Sequence, residues 1–133
     1  MNNLFIDGTA LTPLIDFNAD QGVMRIQGRS IPDNPDEFWY KVLLWFDEYM
    51  MNSHSLTTFE IDLEYFNVTS SKRILALLYK LNDLINMNKD VWLLFMATEI
   101  KNFIQGRNEI EVCQSKTWSN ILNFLYNLII VFN

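Results

Sequence analysis

"EIDLEYFNVTSSKRILALL", residues 60–78, changes its hydrophobic period partway along. Before the change, Phe59, Ile61, Leu63 and Tyr65 alternate with Glu60, Asp62 and Glu64, the period of a half-buried strand running from Thr57 to Phe66. After it, Ile74, Leu77, Leu78, Leu81, Leu84 and Ile85 recur at the spacing of one helix face. Between the two lie Asn67, Val68, Thr69, Ser70 and Ser71, so the pattern predicts a strand, a hydroxyl-rich turn and a helix beginning near Lys72. A strand feeding a helix through so short a connection is the building unit of an α/β fold.

Working outward, the preceding segment supports the same class. "DNPDEFWYKVLLWFDEYMM" carries a helix start, with Asn34 as N-cap, Pro35 in the first helical position and Asp36 and Glu37 in the first turn. Glu37, three residues after Asn34, suits a capping box, and the acidic first turn complements the helix dipole. Phe38, Val42, Trp45, Phe46 and Tyr49 then form the stripe a helix uses to cover a sheet. Earlier still, Leu4 to Ile6 is a short apolar run, while "LIDF" and "VMRIQ", joined by "NADQG", read as a hairpin.

Beyond residue 85, "DVWLLFMA" is a continuous apolar run of strand length, which predicts a strand buried on both faces. A short helix near Glu99 to Ile104, a strand "EIEVC" and the uncharged segment 117–133 complete the chain. That last segment is shorter than the roughly 20 apolar residues of a membrane span, and Asn120, Asn123 and Asn127 give it a polar stripe. It reads as a packed terminal element, or as a surface through which two copies form a homodimer. The whole pattern predicts one α/β domain over residues 1–133, a mixed sheet with helices packed against it.

Composition narrows the function. Half of the 133 residues are hydrophobic, so the chain can build a core. Its net charge of -6 and ten Lys and Arg argue against a nucleic-acid partner. Cys113 is the only cysteine and therefore has no disulfide partner within the chain, and the N-terminus lacks the pattern of a secretory signal, so a cytoplasmic location is expected. His54 is the only histidine, which leaves no His–Cys metal cluster to assemble, and the four glycines are too scattered for a phosphate loop. Neither metal nor cofactor is expected. Asp62 and Glu64, two apart on a strand, are the one pair that suits a ligand- or metal-binding α/β domain, although such a pair is more often a solvated edge. The hydroxyls at the strand-to-helix turn fit two roles: plain capping, or an acceptor whose phosphate the helix N-terminus would favour.

Four stretches match a known pattern. They are the threonine–proline of "LTPLIDF", the run Gly28-Arg29-Ser30-Ile31-Pro32-Asp33-Asn34, the aromatic helix, and "LEYFN" followed by hydroxyls and Lys72. With these the chain resembles the SiaC family of bacterial biofilm-regulating phosphoproteins, from about residue 4 to residue 85, with a divergent part over 90–133. The signature positions are Gly28, Arg29, Ser30, Pro32 and Asn34. The resemblance implies a STAS-like two-layer sandwich, similar to anti-anti-sigma proteins, that acts by binding and is not an enzyme. It implies a diguanylate cyclase as partner, bound and activated by the unphosphorylated form, with a protein kinase and a PP2C-type phosphatase setting the phosphorylation state. The partner surface would comprise Asn67, Val68, Thr69, Ser70 and Lys72. Family members accept phosphate on a threonine directly after the asparagine, in the pattern Asn-Thr-Ser-Ser-x-Lys. Here Val68 stands at that acceptor position and has no hydroxyl. Either a neighbouring hydroxyl, Thr69, Ser70 or Ser71, has taken the role, or the adaptor is locked in the unphosphorylated-like state. The acidic loop typical of the family after the Trp92 strand is also missing.

Overall fold

The computed structural model describes residues 1–97 and 110–112, with side-chain environments for residues 1–94. Its strands are β1 (Leu4–Ile6), β2 (Leu14–Asn18), β3 (Val23–Ser30), β4 (Leu56–Phe66), β5 (Asp90–Ala97) and β6 (Ile110–Val112). Helix α1 (Pro35–Met50) connects β3 to β4, and α2 (Val68–Asn86) connects β4 to β5. The strands form one sheet in sequence order. β3, β4 and β5 are mutually parallel, while β1/β2, β2/β3 and β5/β6 are antiparallel. Crossovers between parallel strands are right-handed as a rule, so two made in succession in the same direction put both helices on one face of the sheet. Their buried residues accordingly join Ile15, Phe17, Met24, Ile26, Phe59, Ile61, Leu63, Val91 and Leu93 in a single core. The mixed α/β sandwich predicted from the sequence is the architecture observed.

The predicted hairpin forms with Leu14 opposite Gln27 and Asn18 opposite Val23. Its turn is closed by the Asn18 side chain, which accepts from the Gln21 N–H, and by Gly22, whose φ of +68° suits glycine. A Cβ on Gly22 would stand 2.9 Å from the Leu56 carbonyl oxygen.

Three expectations are corrected. On α1 the deeply buried residues are Trp39, Val42, Phe46 and Tyr49, whereas Phe38 and Trp45 pack at the core margin. Trp45 lies parallel to Tyr49 at 5.6 Å, and its Nε1 donates to the Asn2 carbonyl, which keeps the ring's polar edge outward. On β5, Val91 and Leu93 are buried but Trp92 is 41% exposed, so among the described residues this strand is covered on one face only. The opposite face carries charge at its centre, where Arg25 on β3 pairs with Glu60 on β4 at 3.0 Å. The continuous apolar run suggests two covered faces because hydropathy alone does not distinguish Trp92 from its inward neighbours.

The third correction concerns the end of β4. Gly28 pairs with Leu63, but Arg29 pairs with Tyr65, so Glu64 is an extra residue in the β4 ladder. This bulge reverses the alternation. Tyr65 points outward, and Phe66 packs against the core in its place. The predicted helix near Glu99 to Ile104 and the segment 117–133 lie outside the described residues. Part of the predicted strand "EIEVC" is present as β6.

Candidate regulatory site at the strand-to-helix turn

The parallel strands β3 and β4 end side by side, with Ser30 opposite Phe66. Both helices start just beyond, α1 at Pro35 and α2 at Val68. In open α/β sheets the carboxyl ends of parallel strands are where partners and ligands are met, because the loops and helix N-termini gather there.

Helix α2 begins at Val68, four residues earlier than the sequence pattern predicts. Asn67 is the N-cap, in extended conformation, and its side-chain oxygen accepts from the Ser70 N–H at 2.8 Å. Val68, Thr69 and Ser70 therefore occupy the first three helical positions. The hydroxyl residues form the first turn of the helix and do not make a separate connector. Ser70 lies four residues before Ile74, so the buried stripe extends back one turn through a polar residue that hydropathy does not reveal.

This placement separates the candidate hydroxyls. Ser70 is fully buried. Its Oγ donates to the Ser30 carbonyl at 2.9 Å and accepts from the Ser30 hydroxyl at 2.7 Å. The Asn67 N–H donates to the same carbonyl at 3.1 Å. Ser71 is half-buried, and its hydroxyl donates to the Val68 carbonyl at 2.6 Å. Thr69 is exposed, and Val68 beside it is half-buried. One candidate thus ties α2 to β3, one ties the helix to its own first turn, and one faces solvent.

The signature residues build this arrangement from below. Gly28 has φ of +115°, a conformation that favours glycine, and it stands at the bulge. Arg29 is exposed, with its guanidinium carbon 5.9 Å from the Tyr65 ring centroid, so the outward turn of Tyr65 gives it a cation–π partner. Ser30 supplies the buried hydroxyl and the carbonyl that hold α2. Pro32 is buried, and Asn34 caps α1 by accepting from the Glu37 N–H at 3.2 Å. The Glu37 carboxylate accepts from the Asn34 side-chain amide rather than from its backbone, so only half of a capping box forms.

Charge at this end is mixed. Arg73, one turn beyond Thr69, forms an ion pair with Asp36 in the first turn of α1, and further along Lys80 pairs with Asp47. Lys72 is exposed, as are Asp62 and Glu64. The Arg73–Asp36 pair and the Ser30–Ser70 pair link residues about 40 positions apart, and nothing in the local sequence signals either. No group of three or more His, Cys, Asp or Glu side chains able to hold a metal ion occurs among the described residues. His54 lies at the other end of the sheet, where one ring nitrogen is 2.8 Å from the Ala19 carbonyl, beside a cleft of about 580 Å³. No helix among the described residues is long and apolar enough to cross a membrane.

Comparison with known proteins agrees with the α/β fold. The profile described as SiaC family regulatory phosphoprotein matches residues 6–107. An uncharacterized protein of Pseudomonas aeruginosa strain UCBPP-PA14 is 30% identical over 78 residues, which is 59% of this chain and 62% of that protein. The chain thus spans less than two thirds of the length of this curated relative. Among solved structures, SiaC of Pseudomonas aeruginosa superposes with a TM-score of 0.67 at 28% identity, covering 70% of this chain and 77% of that one. A crystal structure of the diguanylate cyclase SiaD in complex with its activator SiaC, from the same organism, matches with a TM-score of 0.65 at 28% identity, covering 68% and 74%.

Proposed function

The chain belongs to the SiaC family of regulatory phosphoproteins, and from that premise we propose that it is a non-catalytic adaptor that binds and regulates a diguanylate cyclase, with Thr69 as its phosphorylation site. The cyclase assignment is supported by the similar SiaC of Pseudomonas aeruginosa, described as the activator of the cyclase it is bound to. The observation that carries the site assignment is the sorting of hydroxyls: Thr69 is exposed in the first turn of α2, while Ser70 and Ser71 are engaged within the fold.

Val68 does not preclude a switch on this reading, because the hydroxyl next to it reaches solvent at the same helix end. A phosphate there adds about 1.5 to 2 negative charges to the surface. The helix dipole favours an exposed anion at this position by roughly 0.3–1 kcal/mol. Asn67, Val68, Thr69 and Lys72 form the partner surface, with Ser70 holding it from beneath. A protein kinase and a PP2C-type phosphatase, working in the cytoplasm, would set the state.

The test is cyclic-di-GMP synthesis by the diguanylate cyclase of the source cell, followed with and without the purified chain. Stoichiometric addition is expected to raise the rate, and Thr69→Glu to abolish the rise while Thr69→Ala retains it. An unchanged rate on adding the parent chain contradicts the adaptor reading. Equal stimulation by Thr69→Glu and the parent contradicts Thr69 as the switch.

A further inference from the structure

We propose that Arg73 is the residue that reads a phosphate on Thr69, leaving Asp36 to do so and thereby unlinking the first turn of α1 from the second turn of α2. This inference rests on Thr69 as the modified residue. Thr69 and Arg73 are four apart on α2, so they are neighbours on one helix face. Long helical side chains lean toward the helix N-terminus, a direction that brings the turn holding Thr69 within reach of the Arg73 guanidinium.

The guanidinium is only partly used in the unmodified chain. Its Nη2 donates to Asp36 Oδ1, while the neighbouring Nε is buried with no acceptor among the described residues. Nε–H and the adjacent Nη2–H form one edge of the planar group, the edge that grips a carboxylate or phosphate with two parallel hydrogen bonds. Asp36 fills half of that edge. The Asp36 side chain is 73% exposed, so its pairing with Arg73 is weakened by solvent screening. A phosphothreonine offers more charge and three acceptor oxygens, enough to fill both positions. Lys72, exposed and three residues after Thr69, adds a second cation on the same side. Ser71 does not compete for this role, because it lies two positions from Arg73 and its hydroxyl is already bonded to the Val68 carbonyl. The Lys80–Asp47 pair remains at the far end of the helix pair, so the change is confined to the end that carries the partner surface.

The test uses the full chain with phosphothreonine installed at position 69 by genetic encoding, so it does not depend on any kinase. The second ionisation of the phosphate, followed by phosphorus NMR, is expected to lie lower in the parent than in Arg73→Gln by about half a unit or more. Arg73→Lys, which keeps the charge without the fork, is expected to fall between them. Equal values in all three overturn the proposal. As a second readout, Asp36→Asn should shift the Arg73 Nε–H resonance in the unmodified chain and leave it unchanged in the phosphorylated one. A resonance that still responds to Asp36→Asn after phosphorylation refutes the exchange. Failure here leaves the choice of Thr69 to be judged separately, by mapping where the kinase places its phosphate.

Discussion

Replacing Ser70 with alanine separates a structural hydroxyl from a regulatory one. Two hydrogen bonds disappear. The Ser30 carbonyl keeps the Asn67 N–H at 3.1 Å, so losing the Ser70 donor costs about 1 kcal/mol, the usual net worth of one bond. The Ser30 hydroxyl is worse placed: it is fully buried and Ser70 Oγ is its acceptor, so stranding it costs a further 1–3 kcal/mol or so. The expected loss is about 2–4 kcal/mol, or a fall in Tm of roughly 3–5 °C per kcal/mol for a chain of this size. Urea denaturation followed by tryptophan fluorescence should show a lower midpoint at an unchanged slope. Thr69→Ala, at an exposed position, should lie within about 0.5 kcal/mol of the parent. In the double variant Ser30→Ala/Ser70→Ala neither hydroxyl is stranded, so its cost should fall short of the sum of the singles by about 1 kcal/mol or more. A Ser70→Ala protein as stable as the parent would refute the reasoning, as would strict additivity.

Gly28→Ala is expected to cost about 1–3 kcal/mol through backbone conformation alone, because its φ is +115° while an added Cβ would meet the Pro13 Cα at an ordinary 3.8 Å. Thermal melts check it, and a neutral result would show that the bulge relaxes. Asn67→Ala should lower stability by about 1 kcal/mol through loss of the α2 cap, with Asn67→Asp largely restoring it. Tyr49→Phe removes the 2.8 Å bond to Thr57, both partners being buried, and should cost about 1–2 kcal/mol in the same denaturation assay. Trp92→Ala, at a 41% exposed position on the open face, should cost less than the roughly 3–5 kcal/mol of a core Phe46→Ala.

The fold was legible because its elements declare themselves locally. Asn34-Pro35 marks the α1 start, the alternation of β4 holds through Leu63, and the Ile74 to Leu84 stripe identifies α2. The errors arose where long-range pairing overrides local pattern. The bulge at Glu64 depends on how β4 meets Gly28, so Tyr65 could not be turned outward from β4 alone. The early start of α2 depends on a buried polar residue, and Ser70 became part of the helix stripe only because Ser30 meets its hydrogen-bonding needs. The turn singled out for its hydroxyls and the family pattern lies at the start of α2, tied to the end of β3. Which hydroxyl faces solvent was invisible, since Thr69, Ser70 and Ser71 are chemically alike in sequence and differ only in what the fold places beside them.

The central claim is that Thr69 carries the switch that Val68 cannot. Incubating the full chain with its kinase and ATP, then measuring intact mass and mapping the modified peptide, tests that claim most directly. A single added phosphate on Thr69 is expected, absent from Thr69→Ala and retained in Ser71→Ala. No added phosphate, or a phosphate on Ser71 with Thr69 unmodified, would contradict it.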